Sequence, residues 1–311
     1  MRETIKIQGK SLELSNLDKI LWPKLKISKG EMIEYYISIA PYILPHLKNR
    51  PLSMKRFPDG VAGEFFFEKN APKFTPKWVK TIPVKSEDGK PARHASQLAG
   101  VAGRITNYIL VNNLPTLIWV ANLACIEFHT WLSATPKLNH PGTVLFDLDP
   151  TEKGTFKDAA EAALLIKKIL EDLGILSFAK TSGMRGLHIQ VPIKQNVSFE
   201  LARTFVRLIG DVLDKRYPRL ITMEERKVER EKTGKVFVDW TQNSKAATAI
   251  VPYSLRASNI ATVACPVAWE EVKKGIEPGM FSLREIEKRL KKTDDVWKNY
   301  NRKFDLRKIL K

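Results

Sequence analysis

The chain has 311 residues, 43% of them hydrophobic, enough to bury a sizeable core in one large domain or two modest ones. Its 52 Lys+Arg against 34 Asp+Glu leave a formal charge of +18, which points to a polyanionic partner, the alternative being a merely basic, solubilising surface. Cys125 and Cys265, the two cysteines, cannot build a disulfide framework or a metal knuckle; with no apolar core in "MRETIKIQGK" and no run near the roughly 18 to 20 apolar residues of a membrane span, a cytoplasmic protein is expected, away from membranes.

No internal repeat or low-complexity linker interrupts the chain, so a single continuous unit is expected over residues 1–311. A helix is predicted from about Ser28 to Leu47, with Ser28 as cap and Glu31 three residues on, as in a capping box. "PLSMKRFP" reads as a strand and "GEFFFEKNAP" as a strand or loop. In the second half the signals alternate. "TVLFDLD" is a buried strand, and "TFKDAAEAALLIKKILEDLG" an amphipathic helix with Thr155 near its start and Gly174 just past its end. "ILSFAKTSG" and "GLHIQVPI" are two strands joined by a glycine turn, and "SFELARTFVRLIGDVLDKRY" is a second helix. A charged loop from Met223 to Lys235 leads into the strand "VFVDW". The sum is a mixed α/β or α+β fold whose acids lie on strands.

Three groups of residues could carry chemistry. Residues i and i+2 of a strand share a face, so Asp147 and Asp149 present paired carboxylates while Phe146 and Leu148 face the other way. Oxygen ligands of this kind suit Mg²⁺ or Mn²⁺, and paired carboxylates are the platform of two-metal phosphoryl transfer; the bland alternative is a strand end whose acids cap a turn. Asp239 in "VFVDW" ends another apolar strand, and a shared cation would offset the cost of burying it. In "KTSGMRGLHIQV", Ser182, Gly183 and Gly186 form a tight turn whose backbone N–H groups suit phosphate oxygens, with Arg185 and His188 as further donors; a plain hairpin with a core histidine is the alternative. The five histidines show no zinc spacing, and there is neither a Walker phosphate loop nor G-x-G-x-x-G.

These residues sit within a longer likeness. The blocks "LDKILWP", "KGEMIEYY", "MKRFPDG", "FFFEKNAP", "LVNNLPTLIWVANLACIEFHTWLS", "FDLDP", "TSGMRGLH", "VDWTQN" and "YSLRA" occur in an order that resembles the polymerase domain of bacterial and archaeal DNA ligase D, the end-joining members of the archaeo-eukaryotic primase superfamily. The resemblance implies an α+β (mixed α/β), primase-like core of central sheets flanked by helices. It implies that Asp147, Asp149 and Asp239 bind two catalytic Mn²⁺ or Mg²⁺ ions, and that Ser182, Gly183, Arg185 and His188 hold the incoming nucleotide's phosphates. His129 matches a histidine that contacts the nucleotide, and Arg256 a triphosphate-binding arginine. Asn16, Lys19 and Lys29 match a pocket for the 5′-phosphate at a gap or break, and Phe66 and Phe67 match aromatics that stack on the template, whereas Phe65 reads as core packing. On this pattern the part to about residue 105 makes the DNA-end and template contacts, and residues from about 106 to 300 carry the metal and nucleotide site. The turn departs from the family in having Arg185 where Lys is usual, which changes the donor geometry. The charged loop, with five basic and four acidic residues over 224–235, receives no residue role.

The activity so implied is a nucleotidyltransferase that uses NTP or dNTP, with a preference for ribonucleotides, to fill gaps at double-strand breaks alongside Ku. No K-x-D-G adenylation motif occurs, so a stand-alone polymerase subunit working with a separate DNA ligase is expected. Two rivals stay open at this point. "FDLDPT" imitates the D-x-D-x-T motif of haloacid-dehalogenase-type phosphatases, and the N-terminal lysines and phenylalanines would suffice for a non-catalytic DNA-end-binding module.

Overall fold

A computed structural model describes residues 2–85 and 105–309. In chain order the elements are β1 (Arg2–Ile7), β2 (Lys10–Ser15), β3 (Ile20–Trp22), β4 (Ile27–Ser28), α1 (Lys29–Ser38), α2 (Ala40–Leu47), β5 (Leu52–Arg56), β6 (Phe66–Glu68), β7 (Thr81–Lys85), β8 (Ile105–Ile109), α3 (Leu114–Asn122) and β9 (Cys125–Trp131). There follow β10 (Thr143–Pro150), α4 (Phe156–Asp172), β11 (Phe178–Thr181), β12 (Leu187–Pro192), α5 (Phe199–Arg216), β13 (Ile221–Thr222), α6 (Lys227–Glu231) and β14 (Val236–Val238). The chain closes with β15 (Thr248–Ile250), β16 (Pro266–Val267), α7 (Trp269–Lys274) and α8 (Leu283–Thr293). Two compact units result. The first takes in Met1–Trp131, Thr248–Thr262 and Ser282–Glu287, and the second Leu132–Ala247, Val263–Phe281 and Lys288–Lys311. No helix among the described residues is long and apolar enough to cross a membrane.

The second unit is built on a sheet of order β13-β14-β10-β12-β11-β16, with only the β13–β14 pair parallel. β10 lies inside it, hydrogen-bonded to β12 on one side and β14 on the other, which explains its near-continuous apolar run. One face of β10 receives α5, where Phe146 meets Phe205 edge-on at 6.1 Å between ring centroids. α4 packs against β10 and α5, and its buried Ala159, Ala160, Ala162 and Ala163 are small enough to let the helix axis come close to the strands. The opposite face is left to Asp147 and Asp149. Both helices are capped as their sequences require: Thr155 and Asp158 form a reciprocal capping box, and the Ser198 hydroxyl accepts from Leu201 N–H.

The first unit centres on an antiparallel sheet of order β15-β9-β5-β6. Tyr36 of α1 is fully buried against it, its hydroxyl donating to the Ile126 carbonyl at 2.6 Å and accepting from Leu255 N–H at 3.1 Å. Ile105–Trp131 belongs with this unit, and β15 returns to it after the longest segment of the second unit, Leu132–Ala247.

Two expectations are corrected here. The helix expected over Ser28–Leu47 is two helices that break at Ile39, because Pro41 has no N–H to offer and its ring would clash with the Ile37 carbonyl. The Ser28–Glu31 capping box is present as expected. The charged loop after Met223 contains the short helix α6, whose Arg230 lies 4.0 Å from the centre of the Phe237 ring; that contact comes from a strand six residues further on and has no local signature.

The turn after β14 depends on one side chain. Asn243, almost wholly buried, accepts from Leu145 N–H at 2.9 Å and donates to the Leu145 carbonyl at 2.6 Å and the Trp240 carbonyl at 3.3 Å, so its amide serves as one more rung beside β10. Asn243→Ala would strand a buried N–H and C=O of β10, and a loss of about 2 to 4 kcal/mol in unfolding free energy is expected in urea titration of the purified protein.

Candidate active site

The acids of the second unit are brought together by strand register. Asp147 pairs with His188 across β10 and β12, Asp149 pairs with Phe237 across β10 and β14, and Asp239 N–H donates to the Asp147 carbonyl at 2.8 Å. Pairing partners share a face, so Asp147, Asp149, Asp239 and His188 all lie on the side of the sheet away from Phe146 and α5. Asp147 is buried, with Oδ1 3.1 Å from His188 Nε2. Asp239 is half-buried, and its Oδ1 accepts from Thr241 N–H at 3.0 Å and from the Thr241 hydroxyl at 2.5 Å, which caps the 3-10 turn Trp240–Asn243.

Asp149 reaches solvent, yet the charge of Asp147, followed by partial burial and by Asp239, pushes its carboxyl up to about 7 against the opposing pull of His188 and Arg230. Like charges crowded on one face are what a hard divalent ion relieves, and the all-carboxylate donors fit Mg²⁺ or Mn²⁺ in chemistry. As the side chains stand, no three His, Cys, Asp or Glu groups among the described residues converge to enclose an ion. Asp147 is turned to His188 and Asp239 to Thr241 instead.

The β11–β12 turn lies beside these acids. Ser182 N–H donates to the Gly186 carbonyl at 2.9 Å, and the Ser182 hydroxyl accepts from Met184 N–H at 3.2 Å and Gly186 N–H at 3.1 Å. Gly183 takes φ +73°, the left-handed region where a side chain is strained. A Cβ at Gly186 would run into the Leu148 carbonyl oxygen and come within 3.1 Å of Asp149 Oδ1, so glycine is what lets the turn press against the acid strand. The expectation that this turn offers open N–H groups is corrected for three of them: those of Ser182, Met184 and Gly186 are consumed inside the turn, because the Ser182 hydroxyl folds back over it. Arg185 is also engaged, its Nη2 donating to the carbonyls of Thr151 (2.9 Å), Glu152 (3.1 Å) and Gly154 (2.9 Å), so it braces the segment after β10.

In the first unit, His129 and Arg256 meet at a residue that sequence reasoning passed over. Glu127, 2% exposed, lies on the same face of β9 as His129. Its carboxylate stands 2.9 Å from His129 Nε2, accepts from Ala257 N–H at 3.1 Å, and pairs with Lys55 Nζ at 3.5 Å and Arg256 Nε at 3.6 Å. Burial pushes the Glu127 carboxyl up, but the His129 hydrogen bond and the charges of Arg256 and Lys55 prevail and hold it at about 2. The available signal was the i, i+2 spacing in "CIEFHTW", the same alternation that singled out Asp147 and Asp149.

The residues expected to grip a 5′-phosphate are gathered by backbone bonds. Lys19 N–H donates to Asn16 O, Lys29 N–H to Lys19 O and Gly30 N–H to Leu17 O, which ties the 16–19 turn to the start of α1. Asn16 adopts φ +55° to make that turn. Lys29 is buried, with Nζ 2.6 Å from the Ser15 carbonyl, and burial with the charges of Lys19 and Arg56 brings its ammonium down to about 8. Cations that repel one another in this way make a site for an anion. Lys19 is meanwhile paired with Asp59 at 2.7 Å.

Phe66 is 44% exposed with the Arg56 guanidinium 5.2 Å from its ring centre, and Phe67 meets His129 edge-on at 5.7 Å. Phe65 is not core packing: it is 52% exposed, with Lys55 Nζ 4.2 Å over its ring. Phe66 and Phe67 lie on the short edge strand β6, and Phe65 lies just before it, outside the sheet.

Acids on a central strand with a glycine turn pressed against it form an arrangement suited in chemistry to phosphates and divalent ions. The family described as LigD, primase-polymerase domain matches residues 28–297. The "Bifunctional non-homologous end joining protein LigD" of Bacillus subtilis is 32% identical over 282 residues, 90% of this chain and 43% of that protein. The "Multifunctional non-homologous end joining protein LigD" of Mycolicibacterium smegmatis is 34% identical over 275 residues, 88% of this chain and 34% of that one. Among solved structures, the polymerase domain from Mycobacterium tuberculosis ligase D in complex with DNA superposes with a TM-score of 0.81 at 31% identity, covering 93% of this chain and 97% of that chain. The chain therefore belongs to the LigD primase-polymerase domain family and has its primase-like fold. It spans less than half the length of either curated relative.

The raised Asp149 carboxyl yields a signed expectation. A carboxylate whose folded pKa lies above its unfolded one costs the folded state stability as pH rises from about 4 to about 7, and that cost stays in full above pH 7. In EDTA at pH 8, Asp149→Asn is expected to raise the melting temperature, with a smaller gain in high salt; Mn²⁺ is expected to stabilise the unaltered protein and not the variant. Differential scanning fluorimetry with and without metal measures both.

Proposed function

We propose that this chain is a template-dependent polymerase that adds nucleotides to a primer 3′-hydroxyl and fills short gaps at double-strand breaks in end joining, with ribonucleotides preferred. The observation that carries this reading is the placement of Asp147, Asp149 and Asp239 on one sheet face in a member of the LigD primase-polymerase family. The M. tuberculosis relative was solved with DNA, which supports DNA as the polyanion matched to the charge of +18.

In this reaction the primer hydroxyl displaces pyrophosphate from the nucleotide's α-phosphorus. Asp147, Asp149 and Asp239 would hold two divalent ions, Mn²⁺ or Mg²⁺. Such ions supply charge stabilisation for the attacking and leaving oxygens. His188 orients Asp147 from the neighbouring strand, and Thr241 orients Asp239. Ser182 and Gly183 shape the turn for the nucleotide's phosphates, Arg185 and His188 add positive charge beside them, and His129 and Arg256 contact the nucleotide. Asn16, Lys19 and Lys29 grip the downstream 5′-phosphate, while Phe66 and Phe67 stack on template bases without regard to sequence. Ku and a DNA ligase are the partners this role calls for. The phosphatase reading loses its support in the sheet, because both strands that flank β10 run antiparallel to it, unlike the parallel strands of a doubly wound α/β unit.

The test is addition of labelled ribonucleotide to a gapped duplex that carries a 5′-phosphate, with Mn²⁺ present. The unaltered protein is expected to extend the primer, and Asp147→Asn or Asp239→Asn to lose at least about 100-fold in rate with duplex binding intact. Lys29→Ala is expected to erase the preference for a 5′-phosphorylated gap without abolishing extension on a plain primer-template. Duplex binding with no incorporation under any of these conditions would establish a non-catalytic end-binding module instead.

A further inference from the structure

Glu127 has no part in the reaction as set out above, yet its surroundings are those of a working group. A carboxylate 2% exposed in the middle of an antiparallel sheet is expensive to bury, and a hydrophobic residue at a β9 position would serve packing alone. Here the carboxylate gathers partners from three separate segments: Lys55 from β5, His129 from its own strand, and, from the segment after β15, the Ala257 N–H as a hydrogen-bond donor and Arg256 as an ion pair at 3.6 Å. Lys55 reaches it because the β5–β9 register sets Lys55 directly opposite Glu127, and Ser53 opposite His129.

The geometry determines what His129 can offer. An ionised carboxylate only accepts, so the 2.9 Å contact requires the imidazole hydrogen to sit on Nε2. Nδ1 is then the ring atom left to face a ligand, and the ring plane is set by a bond that the ligand does not supply. Phe67, edge-on to the ring at 5.7 Å, restrains it from another direction. The same carboxylate holds Arg256 through its Nε, at 3.6 Å. Without Glu127, Lys55, Arg256 and a protonated His129 would repel one another.

We propose that Glu127 is a positioning residue for the nucleotide: it fixes His129 as the Nε2–H tautomer and holds Arg256 and Lys55 in a common arrangement, so that the three present an ordered set of contacts to the nucleotide. This rests on the reading that His129 and Arg256 contact the nucleotide.

Two measurements on the whole protein test it. Nitrogen NMR of the protein labelled at its histidine rings reports the tautomer directly and needs no substrate; His129→Gln assigns the signal. The unaltered protein is expected to show His129 protonated at Nε2 alone, and Glu127→Gln, whose amide can donate as well as accept, to show a mixture of tautomers. Steady-state extension with ATP and Mn²⁺ reports the consequence. Glu127→Gln is expected to raise the KM for ATP at least 10-fold and to change kcat less than 3-fold, with the affinity for gapped duplex unchanged. Added to His129→Ala, it is expected to raise KM by less than half the factor it gives alone, because it acts through the residue already removed.

If Glu127→Gln does not give a folded protein by circular dichroism, Glu127→Asp is read in its place. It keeps the charge but withdraws it from His129 by one methylene, and the same KM rise is expected. A KM within 2-fold of the unaltered protein in the folded variant, an unchanged His129 tautomer, or a full multiplicative effect on top of His129→Ala overturns the proposal. Absence of ATP binding by the unaltered protein, together with the expected tautomer change, overturns instead the nucleotide reading on which the role was built.

Discussion

The arrangement in the second unit depends on hydrogen bonding along both edges of β10. With β12 on one side and β14 on the other, its residues alternate between a face that packs on α5 and a face that carries acids, and the period leaves no freedom to slip. A shift of one residue would drive Asp147 into the apolar layer and expose Phe146. Burial of Val144, Phe146 and Leu148, each about 1.5 to 3 kcal/mol, therefore locks the carboxylates in place as a consequence of packing. The neighbours are positioned by the same ladder: His188 because it is the pairing partner of Asp147, and Asp239 because its N–H continues the β14 pairing by one further bond to the Asp147 carbonyl.

That rigidity lets the site carry unfavourable electrostatics. Asp147 and Asp149 repel one another strongly enough to raise one carboxyl toward neutrality, a cost sustained by a sheet that cannot relax. In the first unit burial and the charges of Lys19 and Arg56 bring Lys29 down, although each of those two cations also has an acid beside it, Asp59 and Glu68. At Glu127 the charges are balanced inside the protein instead, one carboxylate against Lys55, Arg256 and a hydrogen-bonding His129. Like charge raises the carboxyl of Asp149 and opposite charge lowers that of Glu127, so these two strand acids are tuned in opposite directions.

The boundary between what could be read along the chain and what could not follows the range of the interactions. Ser28 with Glu31 and Thr155 with Asp158 are three residues apart, and both capping boxes formed. The break at Ile39 was missed although Pro41 announces it, because the apolar spacing runs on through the proline. Phe65 was taken for core because three consecutive aromatics suggest burial, but it precedes the strand β6 and is half exposed. Arg185 looked like a free cation, and three carbonyls between positions 151 and 154 claimed it.

The sequence by itself determined the elements, the shared face of Asp147 and Asp149, and, through its ordered blocks, the family. Those are matters of period and of local pattern, which a linear chain displays directly. Only the tertiary structure decided the bond from Asp239 N–H to the Asp147 carbonyl that brings the expected third acid alongside, that Asn243 stands in for a strand beside Leu145, and that Glu127 gathers Lys55, His129 and Arg256. Apart from Glu127 and His129, which are neighbours on one strand, these are contacts between segments tens of residues apart or more, which strand pairing and burial bring together.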